Sequence, residues 1–321
     1  MGAKGVSGAI MNTAGTGKIL VIKLSALGDF ILALGAMEAI RRHHRDAHIT
    51  LLTTRPFLDI AERSGYFNDI IIDSRPKFYE IRRWYFLFSL FNGGRFTRVY
   101  DLQLNDRTAV YCRLFLKKPE WSGVIAGSPL FYANPDWRSL HAFTRHQEIL
   151  KVAGLDVRLP DISWMQSDAG SFGLKKPYIL LIPGSAPARP EKRWPALRYA
   201  ALGLKLMREG YNVAVIGTKA EAETISCVVK ACPGIADLSG RTSLYDIAAL
   251  ARDAAGAVGN DTGPMHLAAL AGCPTVALFC TRASSPEQSA PVGKSAQTIQ
   301  AETLEDVPVT DVYKKLCPEG G

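Results

Sequence analysis

Short runs of branched apolar residues recur along the chain, each closed by glycine, serine or aspartate and followed by a stretch of helical spacing. The first run, at 18–24, leads through Ser25-Ala26-Leu27-Gly28-Asp29 into a helical pattern at about 30–42. That order predicts a strand, a tight turn and a crossover helix. Runs at 49–53, 70–72 and 99–102 repeat the theme with helical segments between them, as in a parallel, doubly wound sheet. A Pro- and Ser-containing connection at 159–176 interrupts the pattern, which restarts with an unbroken apolar strand at 178–182. Helices at 198–209, 220–231, 244–251 and 265–271 then alternate with strands at 213–216, 256–258 and 275–279. Residues 282–298 predict a loop and 309–316 a last helix. The expected fold class is therefore α/β, with two Rossmann-like doubly wound domains, at 18–165 and 166–321, facing a cleft after a disordered lead at 1–17. Clefts between domains are preferred ligand sites.

A length of 321 residues suits two domains, and 47% hydrophobic with 21% charged residues is ordinary for a globular protein. The densest apolar stretch, 84–91, is too short to cross a bilayer. The glycine-rich lead lacks the pattern of a signal peptide, so a cytoplasmic location is expected. Six cysteines, at 112, 227, 232, 273, 280 and 317, have no CxxC spacing and fit reduced thiols better than disulfides or zinc ligands, so no metal is expected. Lysine and arginine number 38 against 30 acidic residues, a balance that attracts phosphates, nucleic acid or anionic membranes. The basic residues form no nucleic-acid recognition module, so nucleic acid is not an expected partner. Between 75 and 98, Arg75, Lys77, Arg82, Arg83, Arg95 and Arg98 interleave with Phe78, Tyr79, Trp84, Tyr85, Phe86, Phe88, Phe91 and Phe96. Such a segment either meets a lipid surface or anionic acceptor, or buries its rings and leaves its arginines in water.

The candidate chemistry sits at strand ends, where open α/β sheets hold ligands. Asp29 is positioned to take a proton from an attacking hydroxyl, and capping the helix is the plainer alternative. Ser25 and Gly28 on the same turn, with Gln103 and Arg107 after the strand at 99–102, are the candidate acceptor contacts. Pro183-Gly184-Ser185 offers N–H groups and a hydroxyl to phosphate, and Lys192 beyond it supplies positive charge for a departing diphosphate. The alternative there is a proline-rich surface loop with solvated charge. Gly217, with Glu221 and Glu223 after it, ends another strand, where a carboxylate can hold ribose hydroxyls; the plainer alternative is that the dipole favours glutamates in a helix's first turn. The densest motif is Gly259-Asn260-Asp261-Thr262-Gly263-Pro264-Met265-His266. Its Asp261 grips sugar hydroxyls, the helix start at Thr262 and Gly263 faces phosphate, and His266 bonds phosphate or sugar unless it is structural. Gly15-Thr16-Gly17-Lys18 is not a phosphate loop, because Asn12 occupies the first glycine position, Ile19 replaces Ser/Thr, and the segment precedes its strand.

Taken in order, the β-branched run with Ser25-Ala26-Leu27-Gly28-Asp29, then Pro183-Gly184-Ser185 with Lys192-Arg193-Trp194-Pro195, and then the motif from Gly259 to Ala268 resemble glycosyltransferase family 9, the ADP-heptose:lipopolysaccharide heptosyltransferases. The resemblance spans roughly 18–279 and implies the GT-B architecture, with acceptor bound by the first domain and nucleotide-sugar donor by the second. It implies an inverting, metal-independent transfer, most simply of heptose from ADP-heptose to a lipopolysaccharide core acceptor or other anionic glycolipid. Asp29 is then the base, Lys192 and Ser185 steady the diphosphate, Glu221 or Glu223 lies near the ribose, and Asp261 bonds the heptose. No cofactor beyond the donor is implied, and the inner face of the cytoplasmic membrane becomes a peripheral partner. Two loops depart from the family pattern: 183–195 is rich in Pro and Ala, and Phe279-Cys280-Thr281-Arg282 with Ser284-Ser285-Pro286 stands where a glycine- and proline-containing loop is expected. A sugar-nucleotide epimerase or hydrolase, or a non-catalytic nucleotide-sugar-binding protein, are the alternatives on the same fold.

Overall fold

In the computed structural model, which describes residues 17–185 and 188–317, two six-stranded parallel sheets carry the fold. All but the last residue of the lead expected at 1–17 lie outside the described residues. The first sheet comprises β1 (Lys18–Ile22), β2 (His48–Thr53), β3 (Asp69–Ile72), β4 (Phe96–Asp101), β5 (Glu120–Gly123) and β6 (Leu130–Phe131) in the order β3-β2-β1-β4-β5-β6. The second comprises β7 (Tyr178–Ile182), β8 (Asn212–Val215), β9 (Ala236–Asp237), β10 (Gly256–Asn260), β11 (Thr275–Cys280) and β12 (Ala296–Ala301) in the order β12-β11-β10-β7-β8-β9. Counted from its own first strand, each sheet reads 3-2-1-4-5-6. That is the doubly wound order of nucleotide-binding folds, and ligands sit where the winding reverses, here between β1 and β4 and between β7 and β10.

The period of two along the central strands builds three packed layers. Ile19 and Val21 of β1 and Leu180 and Ile182 of β7 turn their side chains into one buried cluster shared by both halves. Leu20 and Ile22 point the other way, against Leu87, Phe91, Tyr111 and Trp121. Ile179 and Leu181 likewise turn away, toward Trp194, Tyr199 and Leu202. Strands covered on both faces must be apolar throughout, which is why these runs are unbroken.

Two elements differ from the sequence pattern. The helix expected from residue 30 begins earlier and breaks at Ala33, giving Leu27–Leu32 and Leu34–His43. The segment expected as a loop at 282–298 contains the short helix Pro286–Ser289 and runs into β12, an edge strand whose Gln297 and Gln300 are exposed and so blur the apolar signal.

A cluster of buried titratable groups underlies the end of β1. Lys23 donates to the Leu102 carbonyl at 3.1 Å, and burial lowers its pKa. Burial pushes Asp101 up to about 6 against hydrogen bonds from Thr108, Leu104 and Gln103. It pulls His146 down to about 3, with Lys23 and Arg145 acting in the same direction; apart from this cluster, beside Tyr100 and Arg98, burial takes His44 down to about 4. Between pH 6.5 and 4 the unfolded chain therefore binds protons that the two folded imidazoles refuse, so acidification destabilises the fold by about 1.4 kcal/mol per pH unit for each. Asp101 acts oppositely below about 6, since its folded form takes up a proton first. Among these three groups the net acid limb is close to that of one histidine, and His43 and His141, both lowered by burial, add to it in the same direction. His146→Gln is expected to flatten it in a plot of melting temperature against pH; an unaltered limb would clear His146 of the role.

Candidate active site

The carboxyl ends of the central strands of both sheets open on one cavity of about 690 Å³, a size suited to a small organic ligand. Ala26, Leu27, Gly28 and Asp29 line it from the first half. Gly184, Ser185, Lys192, Gly217, Glu221, Asp261, Thr262, Gly263 and His266 line it from the second. The two halves touch at its floor, where the starts of helices Leu27–Leu32 and Gly263–Leu270 face each other. A Cβ on Gly28 would stand 2.9 Å from the His266 imidazole, and one on Gly263 would overlap the Leu27 side chain. Both positions need glycine because the opposite half occupies the space.

Asp29 is the third residue of its helix, so it is not the N-cap, which is Ala26. Its Oδ2 accepts from the Ala26 N–H at 3.2 Å, which ties the carboxylate to the turn and leaves Oδ1 for another partner. The turn itself is held from behind: Gln103 Oε1 accepts from Leu24 N at 2.8 Å and Ser25 N at 3.1 Å. The Leu24 carbonyl accepts from Thr54 Oγ1 at 2.9 Å and from the Arg75 guanidinium. Arg107 donates to the Pro76 carbonyl at 3.2 Å. Of the four candidate acceptor contacts, Gly28 lines the cavity, whereas Ser25, Gln103 and Arg107 do not, and the last two use their side chains to fix backbone.

In the second half, Lys192 Nζ lies 2.6 Å from Asp261 Oδ2, with the two side chains only 17% and 9% exposed. His266 Nε2 stands 3.8 Å from Asp261 Oδ1, while its buried Nδ1 has no hydrogen-bond partner. Burial alone would raise the Asp261 pKa, but His266 and Lys192 together hold it at about 2. The carboxylate is thus ionised and anchored between two potential cations. Asn260, fully buried, sets the register of this site: it donates to the Pro183 carbonyl at 2.7 Å and accepts from Trp194 N and Tyr199 Oη, each at 3.0 Å. One amide thereby joins the loop after β7, the start of helix Ala196–Arg208 and the end of β10. Pro183 contributes its carbonyl to this joint and does not line the cavity. The Ser185 hydroxyl accepts from Arg193 Nε at 3.0 Å.

The two glutamates part company. Glu221 turns into the cavity beside Gly184, whose missing side chain leaves room for it: a Cβ there would lie 3.1 Å from the carboxyl carbon. Glu223 stands elsewhere, in a surface depression with Leu197, Ser226, Cys227 and Lys230. Sequence reasoning missed Ile182, Ile216, Leu244 and Ile247, which form an apolar wall, and Thr218, Thr242 and Ser243 beside them. The spacing of Ser243 and Asp246, a reciprocal helix cap, marks the start of helix Leu244–Asp253 and was the available signal. An apolar wall, a carboxylate, an ammonium group and a helix start thus line one cavity.

Residues 141–316, more than half of the chain, match the family described as glycosyltransferase family 9 (heptosyltransferase). The chain belongs to glycosyltransferase family 9. A curated relative, lipopolysaccharide heptosyltransferase 2 of Salmonella typhimurium, is 34% identical over 151 residues, which are 46% of this chain and 42% of the relative. At this level of likeness the family-9 chain spans less than half the length of the curated relatives it matches. Likeness of fold extends further. The structure of E. coli ADP-heptose lipopolysaccharide heptosyltransferase II superposes with a TM-score of 0.71 at 24% identity, covering 93% of this chain and 97% of that one. An E. coli heptosyltransferase solved with ADP gives 0.70 at 20% identity, covering 92% and 98%. The paired sheets of this family-9 chain are accordingly the GT-B fold.

Proposed function

We propose that this chain is an inverting glycosyltransferase that moves heptose from ADP-heptose onto a lipopolysaccharide core acceptor. The observation that carries the reading is the placement of Asp29 from one half across a single cavity from Lys192, Asp261 and the helix start at Thr262 and Gly263 of the other. The names of the relatives and the ADP held by a solved structural neighbour support the donor. In this reading Asp29 takes the proton of the acceptor hydroxyl while its oxygen bonds to the anomeric carbon. The bond from that carbon to the diphosphate oxygen breaks, its electron pair leaves on ADP, and Lys192 with the helix start meets the developing charge without a metal. One displacement inverts the centre. Asp261 and His266 hold sugar hydroxyls, Glu221 the ribose, and the wall of Ile182, Ile216, Leu244 and Ile247 the base. The setting is the cytoplasm, at the inner face of the membrane that carries the acceptor.

The test is the melting temperature against a panel of nucleoside diphosphates and nucleotide sugars. A ligand of the folded state at a hundred times its dissociation constant adds about 2.7 kcal/mol. ADP and ADP-heptose are expected to stabilise selectively. Stabilisation by UDP or GDP compounds alone would overturn the donor, and none at all would overturn the transferase reading.

A further inference from the structure

The turn after β3 and helix Ile81–Gly93 carry apolar side chains that the core does not use. The inward face is complete, with Leu87 and Phe91 packed on Tyr111, Phe115 and Trp121. The outward face is not covered: Phe78 is 89% exposed, Ile81 76% and Tyr85 70%, with Tyr79 and Phe86 beside them. These five are half of the large apolar side chains that stand exposed among the described residues. Apolar side chains gathered in this way on one turn and helix mark an interaction site. Its charge is positive: Lys77, Arg82 and Arg83 are exposed, and the one carboxylate among residues 75–98, Glu80, is paired with Arg83 at 2.6 Å. The turn is braced by Trp84 Nε1 donating to the Lys77 carbonyl at 3.0 Å.

Rings and an isoleucine projecting beside long cations, on a helix of 13 residues too short to cross a bilayer, are the chemistry of an interfacial helix. No helix of the described residues is long and apolar enough to cross a membrane. The same turn is tied to the catalytic one by Arg75 on the Leu24 carbonyl, and to helix Asp106–Leu114 by Arg107 on the Pro76 carbonyl. Whatever seats the patch therefore seats the side of the cleft that carries Asp29.

We propose that Phe78, Ile81, Tyr85 and Phe86 insert between the headgroups of an anionic bilayer while Lys77 and Arg82 meet lipid phosphates. That the bilayer also presents the acceptor rests on the function proposed above; the contact itself does not. The full chain is to be sedimented with vesicles of phosphatidylglycerol and, separately, of phosphatidylcholine. Binding to the anionic vesicles is expected to be at least about tenfold tighter, since each cation near such a surface contributes about fivefold. It should weaken in about 0.5 M salt, where screening is strong. Two variants, Phe78→Ser/Ile81→Ser/Tyr85→Ser/Phe86→Ser and Lys77→Glu/Arg82→Glu, should each lose about tenfold or more while melting as the parent does and responding equally to ADP. Absence of vesicle binding, equal binding by parent and variants, or a dimer that the serine variant converts to monomer would overturn the proposal. Vesicle binding without ADP stabilisation would leave it standing and sink the transferase reading, and the reverse result would do the opposite.

Discussion

Asp29→Asn is expected to lower sugar transfer by about 10²–10⁴-fold, the usual contribution of a positioned general base, and to leave the fold standing. The asparagine amide oxygen can still accept the Ala26 N–H that Asp29 Oδ2 accepts at 3.2 Å, so the helix start survives while the proton acceptor is gone. Asp29→Ala removes both, and the difference in stability between the two variants, about 1 kcal/mol, measures the cap alone. ADP affinity should be unchanged in either, because the groups assigned to the nucleotide and diphosphate belong to the second half of the chain. The loss belongs in kcat, measured with donor and acceptor both saturating. Turnover within about tenfold of the parent would remove Asp29 from the role.

Lys192→Ala is expected to cost both stability and donor affinity. The variant leaves Asp261, 9% exposed, as a carboxylate without its partner at 2.6 Å. Stranding one member of a largely buried pair costs about 3 kcal/mol. The parent holds the Asp261 pKa at about 2, below its value in the unfolded chain, so the pair's contribution is present above the ordinary carboxylate range and is lost as pH falls toward 2. In the variant that acid limb shrinks. Asp261→Asn added to Lys192→Ala removes the stranded charge, so the double variant should regain most of the melting temperature while ADP affinity and transfer stay low. A Lys192→Ala protein that melts like the parent and binds ADP equally would refute both assignments.

The central strands were legible because burial on both faces forces an apolar run: β1, β7, β10 and β11 show it. The outer strands hide it, since β12 puts Gln297 and Gln300 into solvent and β5 carries Glu120 at its start. Gly28-Asp29, Gly184-Ser185 and the motif from Gly259 to His266 stood out because each puts small or ionisable residues directly after an apolar run. The apolar wall of the cavity did not, because Ile182, Ile216, Leu244 and Ile247 come from separate elements and meet only once the sheet forms. Glu221 and Glu223 looked equivalent in sequence, yet Glu221 closes the 3-10 turn Lys219–Glu221 while Glu223 lies inside helix Ala222–Ala231, and only Glu221 has the space left by Gly184. Gln103 and Arg107 follow a central strand as contacts to a ligand would, but the turn at Leu24 and the loop at Pro76 need hydrogen-bond partners of their own. In the basic aromatic segment one face of the helix is core and the other is solvent, so the plainer reading, with its rings buried, holds only for the inward face.

The floor of the cleft, where Gly28 meets His266 and Gly263 meets Leu27, fixes how far the turn that carries Asp29 stands from the one that carries Asp261. That spacing is set by subtraction, by two side chains the molecule lacks. A methyl group added at either position acts as a shim, and its thickness goes into the gap between the two turns. Misalignment on the order of an ångström costs about a hundredfold in rate, so the tolerance of the whole assembly is written in two residues that contribute no side chain.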